Sequence, residues 1–300
     1  MIALLWIPFT LTAALAQVGR NGLQANLTRQ IGTLGATQVR FIFGLPFALL
    51  FLFTARLLLD EGAPHAGPSA YGYMLLGAVT QIAATALMLV AMARKAFGVA
   101  YAYIKTEPVL VALFGVLLLG DHLAPLAWTG IVIATAGIII ISVDLRQWRT
   151  LLTEWRPMTI GIASGAFFGI ASVAFRGAIV SLDGGSPLNR ALTIMVMSLV
   201  VQCILLGLWL FFRDRKAFTG SLLIWRESLG AGFLGALATA CWNSGLSLTA
   251  AANVRTLGLI EMPVAGWFNR RVSGAHLGRR EWFGTLLVMS GIGLLMTQII

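Results

Sequence analysis

Long apolar runs follow one another along almost the whole chain, and charged residues stand mainly in the short gaps between these runs. Of the 300 residues, 58% are apolar and only 11% are charged, whereas soluble proteins average roughly 45–50% and about 25%. A bilayer core of about 30 Å is crossed by about 20 apolar helical residues. The pattern therefore predicts an integral membrane protein and excludes a water-soluble domain.

Ten apolar runs share the chain, which leaves about 30 residues for each span with its connection. The polar gaps are too short to fold on their own, so we expect one all-α membrane domain of ten transmembrane helices. The N-terminus lacks the basic segment of a cleaved signal peptide, and we interpret the first run as a mature span. The predicted helices lie near residues 2–19, 34–55, 71–92, 97–119, 123–143, 158–180, 189–212, 228–250, 253–269 and 281–299.

An internal repeat emerges when the chain is shifted along itself by 154 residues. The matched positions include Glu, His and Trp, which are scarce in this sequence, and several glycines. A five-helix unit has an odd number of crossings, so two consecutive copies are inverted in the membrane. We therefore predict two inverted five-helix repeats, residues 1–147 and 148–300. The matches are Glu107 with Glu261, Phe114 with Phe268, Gly120 with Gly274, His122 with His276, Leu123 with Leu277, Trp128 with Trp282, Gly130 with Gly284, Gly137 with Gly291 and Ile138 with Ile292.

Basic residues give the chain a net charge of +10. A basic excess can indicate nucleic-acid binding, but most of these residues lie in short gaps between apolar runs, where we also place Arg20 and Arg29. Cytoplasmic-loop anchoring explains that distribution better, and no nucleic-acid partner is expected. The basic gaps alternate along the chain, so the positive-inside rule places both termini outside the cytoplasm.

Ionisable residues inside the predicted helices are candidates for function, because each costs roughly 2.5–3.5 kcal/mol unless it finds a partner or a cavity. Glu107 and Glu261 repeat in both halves, which favours a proton-sensitive or pairing role. The structural alternative is a buried partnership with an intramembrane arginine, Arg40 or Arg176. The predicted residues that bind substrate or line a central cavity are Tyr101, Lys105, Glu107, Trp242, Asn243, Arg255, Glu261, Gln17, Arg40 and Gln81.

Prolines accompany both glutamates. Pro108 and Pro263 each remove a backbone hydrogen bond, and we predict that they kink or open their helices near the middle of the membrane. Carbonyl groups freed beside a carboxylate form a plausible polar site for a substrate or a proton. Lys105 or Arg255 would suit a substrate carboxylate and a nearby aromatic ring an apolar group, which favours an amino acid or organic anion.

Signatures of enzymes and pumps are missing from the sequence. It contains no GxxxxGK[ST] phosphate loop, no GxSxG and no HExxH motif. Cys203 and Cys241 form no CxxC pair, and neither His122 nor His276 has a second ligand at metal-binding spacing. We therefore predict no metal, no cofactor and no catalytic activity. Uphill transport would depend on an ion or substrate gradient.

Four short motifs end the first repeat: Thr106-Glu107-Pro108, Leu118-Leu119-Gly120-Asp121-His122-Leu123, Trp128-Thr129-Gly130 and Ala136-Gly137-Ile138. In these motifs the chain resembles the drug/metabolite transporter superfamily, and within it the EamA-type permeases. Arg40 is similar to the family's habitual arginine in the second helix, whereas Asp121 and Ala275 depart from its Leu-Gly-Glu turn. The resemblance implies a multi-pass inner-membrane protein that moves small metabolites, often by export, through a cavity between two five-helix repeats. It also implies that both termini are cytoplasmic, against the charge count.

The sequence therefore favours a secondary transporter or exporter of small metabolites that works by alternating access, with proton coupling through the glutamates. Efflux of hydrophobic compounds would use similar aromatic residues and stays an alternative. A membrane subunit without transport activity of its own is a second alternative. The expected partners are a small-molecule substrate and the lipid bilayer, and the oligomeric state is left open.

Overall fold

The fold is described from a computed structural model covering residues 4–93, 103–142, 155–264 and 278–297. The described chain is predominantly helical, as its apolar composition predicts. One short pair of strands interrupts the helices. The elements are α1 (Trp6–Ile42), α2 (Leu45–Leu59), β1 (His65–Ala66), α3 (Pro68–Ala93), α4 (Glu107–Leu119), α5 (Pro125–Ser142), α6 (Trp155–Val180), β2 (Leu182–Asp183), α7 (Pro187–Arg213), α8 (Arg215–Leu223), α9 (Trp225–Leu248), α10 (Ala251–Gly258) and α11 (Arg279–Met296).

Five helical segments in the described ranges are long and apolar enough to cross a membrane. Large apolar side chains cover their outer faces, and Leu58, for example, is 79% exposed. Such an apolar surface is stable against lipid and not against water. The five segments are Asn26–Leu59, Pro68–Ala91, Pro125–Ser142, Met158–Val180 and Pro187–Arg213.

The boundary between the first two predicted helices, at residues 19–34, is a kink and not a loop. The chain stays helical beyond residue 19 as far as Gly32, whose φ of 73° and ψ of 173° are not helical, and two helices meet there within α1. Arg20 is therefore a helical residue, 2% exposed, and not the loop residue that we predicted. Hydropathy failed here because the polar residues face protein: the Gln24 side chain donates to the carbonyl of Ala36 across the break. Buried polar partners keep the segment helical where its composition resembles a loop.

Two helix breaks occur at matching positions of the repeat. A turn at Lys105 and Thr106 precedes α4, which begins at Glu107 with Pro108 in its first turn. In the second half, α10 is followed by a turn at residues 259–260, and helix resumes at Glu261. Glu107 thus stands at the N-terminus of α4, where the helix dipole favours a negative charge. Glu261 is the first residue of the helical segment that is described as far as residue 264.

The two halves of the chain pack against each other through equivalent helices. The most extensive contacts join α1 to α9, α3 to α6, and α5 to α11. Gly130 of α5 lies against the backbone of Gly291, and Gly137 lies against that of Gly284. The reversed order of these contacts makes α5 and α11 antiparallel. Because Gly130 matches Gly284 and Gly137 matches Gly291 under the 154-residue shift, the contact relates repeat positions by a pseudo-twofold axis.

A polar clasp joins the halves at the end of the molecule where α2 and α6 end. The strands β1 and β2 pair there in antiparallel orientation, with His65 opposite Asp183. The Glu61 carboxylate accepts hydrogen bonds from the backbone N–H of Ser186, at 3.1 and 3.0 Å, and from its hydroxyl at 2.9 Å. Asn189 adds a side-chain hydrogen bond to the carbonyl of Gly62. This end of the interface is therefore fixed by part-buried polar contacts.

Candidate functional site

A cluster of buried charges lies where the two helix breaks meet α1 and α9. Lys105 and Glu261 form a hydrogen-bonded ion pair between the two halves of the chain. Both side chains are buried, and Glu261 is only 1% exposed. A buried pair of this kind persists only when further hydrogen bonds complete it, and Gln17 of α1 donates to the second carboxylate oxygen of Glu261 at 2.9 Å.

Gln17 connects this ion pair to an aromatic ring. Its side-chain oxygen accepts a hydrogen bond of 3.1 Å from the indole nitrogen of Trp242 in α9. The guanidinium of Arg255 lies 4.6 Å from the centre of the Trp242 ring, in a cation–π contact. One amide side chain therefore sets the position of Glu261 and of the ring that supports Arg255.

Arg255 and Glu107 form the second ion pair between the halves. The Arg255 Nε and Glu107 Oε1 atoms are 3.2 Å apart. Their geometry does not make a hydrogen bond, and both atoms are buried without a hydrogen-bond partner among the described residues. Glu107 is at the N-terminus of α4 and Arg255 is in the last turn of α10, so both helix dipoles favour the charges that face each other.

Two more arginines lie behind these pairs. The side-chain stems of Arg20 and Arg40 both pack within 4 Å of where a Cβ on Gly235 would be. Arg40 donates a 2.9 Å hydrogen bond to the Thr85 hydroxyl, and Arg20 donates to the Asn21 side chain. Arg40 also lies within electrostatic range of Arg20 and Arg255. The side-chain stems of two buried cations thus lie next to each other at Gly235.

A small cavity opens among these side chains. Its volume of about 20 Å³ is room for about one water molecule, which is too small for a metabolite. Of the charged residues that line it in the described chain, three are cationic and one is anionic. The lining consists of Gln17, Arg20, Asn21, Met88, Ile104, Lys105, Glu107, Phe168 and Arg255.

Several predicted site residues lie together here, and others lie elsewhere. Gln81 is not part of the cavity lining. Its side-chain oxygen accepts a hydrogen bond of 2.8 Å from the Gln202 side chain. Asn243 is buried and donates to the carbonyl of Ala191. Tyr101 lies outside the described residues, and Pro263 lies in the helical segment that begins at Glu261.

Glu107 has a buried arginine partner, as the structural alternative stated, but the arginine is Arg255 and neither Arg40 nor Arg176. Arg40 donates to Thr85, and Arg176 donates to the carbonyls of Leu246 and Thr249, with Asp121 at 3.8 Å. The cations that meet Glu107 and Glu261 are Arg255 and Lys105. Helical periodicity relates residues within one helix only, so it does not identify partners on different helices.

The apolar part of the wall was also missed. Met88, Ile104 and Phe168 have no feature in the sequence that separates them from lipid-facing or core residues, and Asn21 lies in the segment that we predicted as a loop. Among the described residues, no group of three or more His, Cys, Asp or Glu side chains could hold a metal ion.

The chain was compared with known structures, curated proteins and protein families, and the family match divides it into the same two halves. The chain is similar to a protein of known crystal structure, with a TM-score of 0.69 and 14% sequence identity over 98% of both chains, which establishes the fold alone. No curated protein matches it. The EamA-like transporter family matches residues 4–143 and again residues 155–297. With its apolar helices, this double match makes the chain a multi-pass membrane protein. The predicted resemblance is confirmed: the chain belongs to the EamA-like transporter family.

Proposed function

We propose that the protein is a secondary transporter of small metabolites, amino acids or related organic compounds, in the inner membrane. In this proposal the chain forms ten transmembrane helices as two inverted five-helix repeats, residues 1–147 and 148–300. Family membership supports transport, and the antiparallel contact of α5 with α11 supports the inversion. Inverted repeats give alternating access by rocking one half against the other around a central site.

The crossed ion pairs carry this proposal. Each glutamate follows the helix break of its own half and meets a cation from the other half: Glu107 meets Arg255, and Glu261 meets Lys105. Relative movement of the halves therefore separates both pairs at once. Because a separated buried charge is costly, the change between states requires that substrate or protons compensate these charges.

The small volume of the cavity agrees with such a cycle. Space for about one water cannot hold a metabolite, so substrate would enter an open state that closes around it. Cations and the Trp242 ring suit an amino acid or organic anion. Hydrophobic-compound efflux is the second candidate function, and the apolar wall of Met88, Ile104 and Phe168 favours it.

Counterflow in proteoliposomes tests the proposal. Vesicles are preloaded with amino acids, organic anions or hydrophobic cations, and labelled uptake is followed with and without a pH gradient. We expect saturable exchange for one class of organic compound, with gradient stimulation. If folded protein exchanges none of the compounds in the panel, the proposal that the chain alone transports metabolites is contradicted.

Glu107→Gln tests the proposed proton coupling. The amide keeps the shape of the side chain and cannot be deprotonated, so transport should lose its pH dependence while the protein remains folded and inserted. Glu227→Gln is a matched control, because Glu227 accepts a hydrogen bond from Gln30 on the surface and lies away from the cavity. Unchanged pH-dependent flux in Glu107→Gln would exclude Glu107 as the coupling group.

The orientation is tested by labelling at the clasp. The positive-inside bias places this end outside the cytoplasm, whereas the family resemblance implies the opposite. Ala63→Cys, at an exposed position beside Glu61, is introduced into a variant whose two cysteines, Cys203 and Cys241, are replaced. Labelling of intact cells by a membrane-impermeant thiol reagent would support the charge count, and labelling only after permeabilisation would support cytoplasmic termini.

A further inference from the structure

We propose that Glu107 is an internal competitor of the substrate: a substrate carboxylate binds Arg255 in the place that the Glu107 carboxylate holds in the cavity. The inference rests on the proposed transport function and names the chemical group that the site recognises. It assigns the two glutamates different roles. Glu261 holds Lys105 in a hydrogen-bonded pair in the observed state, whereas Glu107 occupies the position that the substrate carboxylate takes.

The first observation is the incomplete contact between Glu107 and Arg255. Their nearest atoms lie at 3.2 Å without a hydrogen bond, although Glu107 is only 5% exposed. Hydrogen bonds to charged groups contribute more than those between neutral groups. Arg255 can therefore bind a well-oriented carboxylate more tightly than it holds Glu107. The pair of Lys105 with Glu261 has no such deficit, because it is hydrogen bonded and completed by Gln17.

The second observation is position. Glu107 and Arg255 both line the cavity, whereas Glu261 does not. A ligand that enters the enlarged cavity meets the Glu107–Arg255 pair directly, with the Arg20 side chain on the same wall. Since the contact with Arg255 already accommodates one carboxylate, a second carboxylate fits there when Glu107 withdraws.

The charges around Glu107 determine what must accompany the substrate. They are Arg20 and Arg40 on α1, Lys105 on its own chain segment, Arg255 on α10, and Glu261 across the site. Displacement of Glu107 from Arg255 leaves a buried carboxylate that needs a positive partner or a proton. The ammonium group of an amino acid can supply that partner, whereas a simple carboxylate brings none. Zwitterions and plain anions therefore differ by one proton taken up on binding.

Three probes with the same branched apolar tail separate these cases: leucine, 4-methylpentanoate and 3-methylbutylamine. Equilibrium binding of each labelled probe is measured on purified protein in detergent at several pH values. In the wild type we expect 4-methylpentanoate to bind more tightly as pH falls, leucine to depend less on pH, and the amine to bind weakest.

Glu107→Gln gives the decisive comparison. Removal of the competitor should tighten 4-methylpentanoate binding by about tenfold and abolish its pH dependence, while leucine binding weakens because its ammonium loses a carboxylate. Arg255→Gln should lose binding of both probes, and Arg255→Lys should retain part of it. Weaker 4-methylpentanoate binding in Glu107→Gln, or tightest binding of the amine in the wild type, would overturn the proposal.

Binding in detergent does not depend on transport, so the two proposals can fail separately. The expected binding pattern in a protein that is silent in counterflow would leave the carboxylate site standing and contradict the transport function. Robust counterflow would leave transport standing. If Glu107→Gln then fails to tighten 4-methylpentanoate binding and to weaken leucine binding, the role of Glu107 is overturned. Monodisperse elution and an unchanged helical circular-dichroism spectrum confirm that each variant is folded.

Discussion

The two repeats place a glutamate at the same backbone break and surround it differently. Glu261 is in a hydrogen-bonded ion pair with Lys105 and accepts a further bond from Gln17. Glu107 faces Arg255 at 3.2 Å without a hydrogen bond and lines the cavity. Duplication thus preserved the position of the carboxylate, while the surrounding residues gave one glutamate more hydrogen-bond partners and placed the other in the cavity wall.

The packing of α5 on α11 differs from these ion pairs because it is symmetric. Gly137 and Gly291 occupy matching repeat positions, and each lies against the backbone of the other helix. Backbone packing needs only a missing side chain, so both copies retain glycine. Side-chain chemistry at the breaks has no such constraint, and it is there that the repeats have diverged.

Loss of the Lys105 cation should have the largest effect. Lys105→Met leaves the Glu261 carboxylate buried without its ion-pair partner, which we expect to cost about 3–5 kcal/mol of stability. Arg255→Met should cost less, because the Glu107 carboxylate lies beside the cavity and makes no hydrogen bond through Oε1. Unfolding in mixed micelles with increasing denaturant measures both.

The double variant Lys105→Met with Glu261→Met is the control for this comparison. Replacing both members of a buried pair by apolar residues removes the uncompensated charge, so stability should return while transport stays absent. An equal loss of stability in Lys105→Met and Arg255→Met would show that the two glutamates are equivalent anchors.

Alanine at the repeated glycines should have the next largest effect, and a symmetric one. A Cβ at Gly137 would lie 2.7 Å from the carbonyl oxygen of Gly284, and one at Gly291 would lie 2.5 Å from the backbone of Gly130. Both are overpacked against backbone, so each variant should lose about 1–3 kcal/mol. Gly293→Ala, with nothing within 4 Å of its Cβ, should be neutral or stabilising. Equal losses in all three would show that the contact between the repeats does not set the effect.

The sequence predicted the repeat and several of the residues that cluster at the helix breaks. Glutamate pairs stand out because carboxylates are rare in apolar spans, and prolines beside them predict weak points in the backbone. Lys105, Arg255 and Trp242 were selected by the same scarcity, and they lie in one cluster with Glu107, Glu261 and Gln17.

The partners could not be predicted, because they depend on how helices pack. Lys105 meets Glu261 across 156 positions of sequence, a relation that no helical period contains. Arg20 was assigned to a loop because its neighbours are polar, although polar residues remain helical where they face a buried site. Met88 and Phe168 line the cavity because of where their helices pack. Their residue types do not distinguish them from core residues.

Loss of the two hydrogen bonds that Gln17 makes with Glu261 and Trp242 should lower stability moderately. It tests whether Glu261 depends on partners that Glu107 lacks. Gln17→Leu removes one hydrogen bond to Glu261 and leaves the Trp242 indole N–H without its acceptor. We expect a loss of about 1–2 kcal/mol and weaker substrate binding through displacement of the ring beneath Arg255. Gln17→Glu is the matched variant, since it keeps an acceptor for Trp242 but places a second carboxylate beside Glu261. If Gln17→Glu is as stable as the wild type, Gln17 has no anchoring role.

Replacement of Glu61 in the clasp should have the smallest effect on stability. Unlike the buried glutamates, Glu61 lies outside the helices. The backbone N–H of Ser186 lowers the pKa of Glu61 below its usual value, with the Ser186 hydroxyl, Asn189 and Arg190 acting in the same direction. A carboxylate whose pKa is lowered on folding stabilises the protein above its unfolded value of about 4.3 and loses this contribution as pH falls through the lowered value.

The stabilising effect of Glu61 should therefore be present at neutral pH and vanish in acid. Thermal unfolding of the wild type and Glu61→Gln is compared between about pH 7 and about pH 3, and the two curves should converge at the acid end. Ser186→Ala keeps the backbone donor but removes the hydroxyl that caps α7 through the Asn189 N–H. It should lower stability at every pH while retaining most of the pH dependence. A constant difference between wild type and Glu61→Gln would show that the clasp depends on shape and not on charge, and would place Glu61 with the anchoring contacts rather than with the titratable ones.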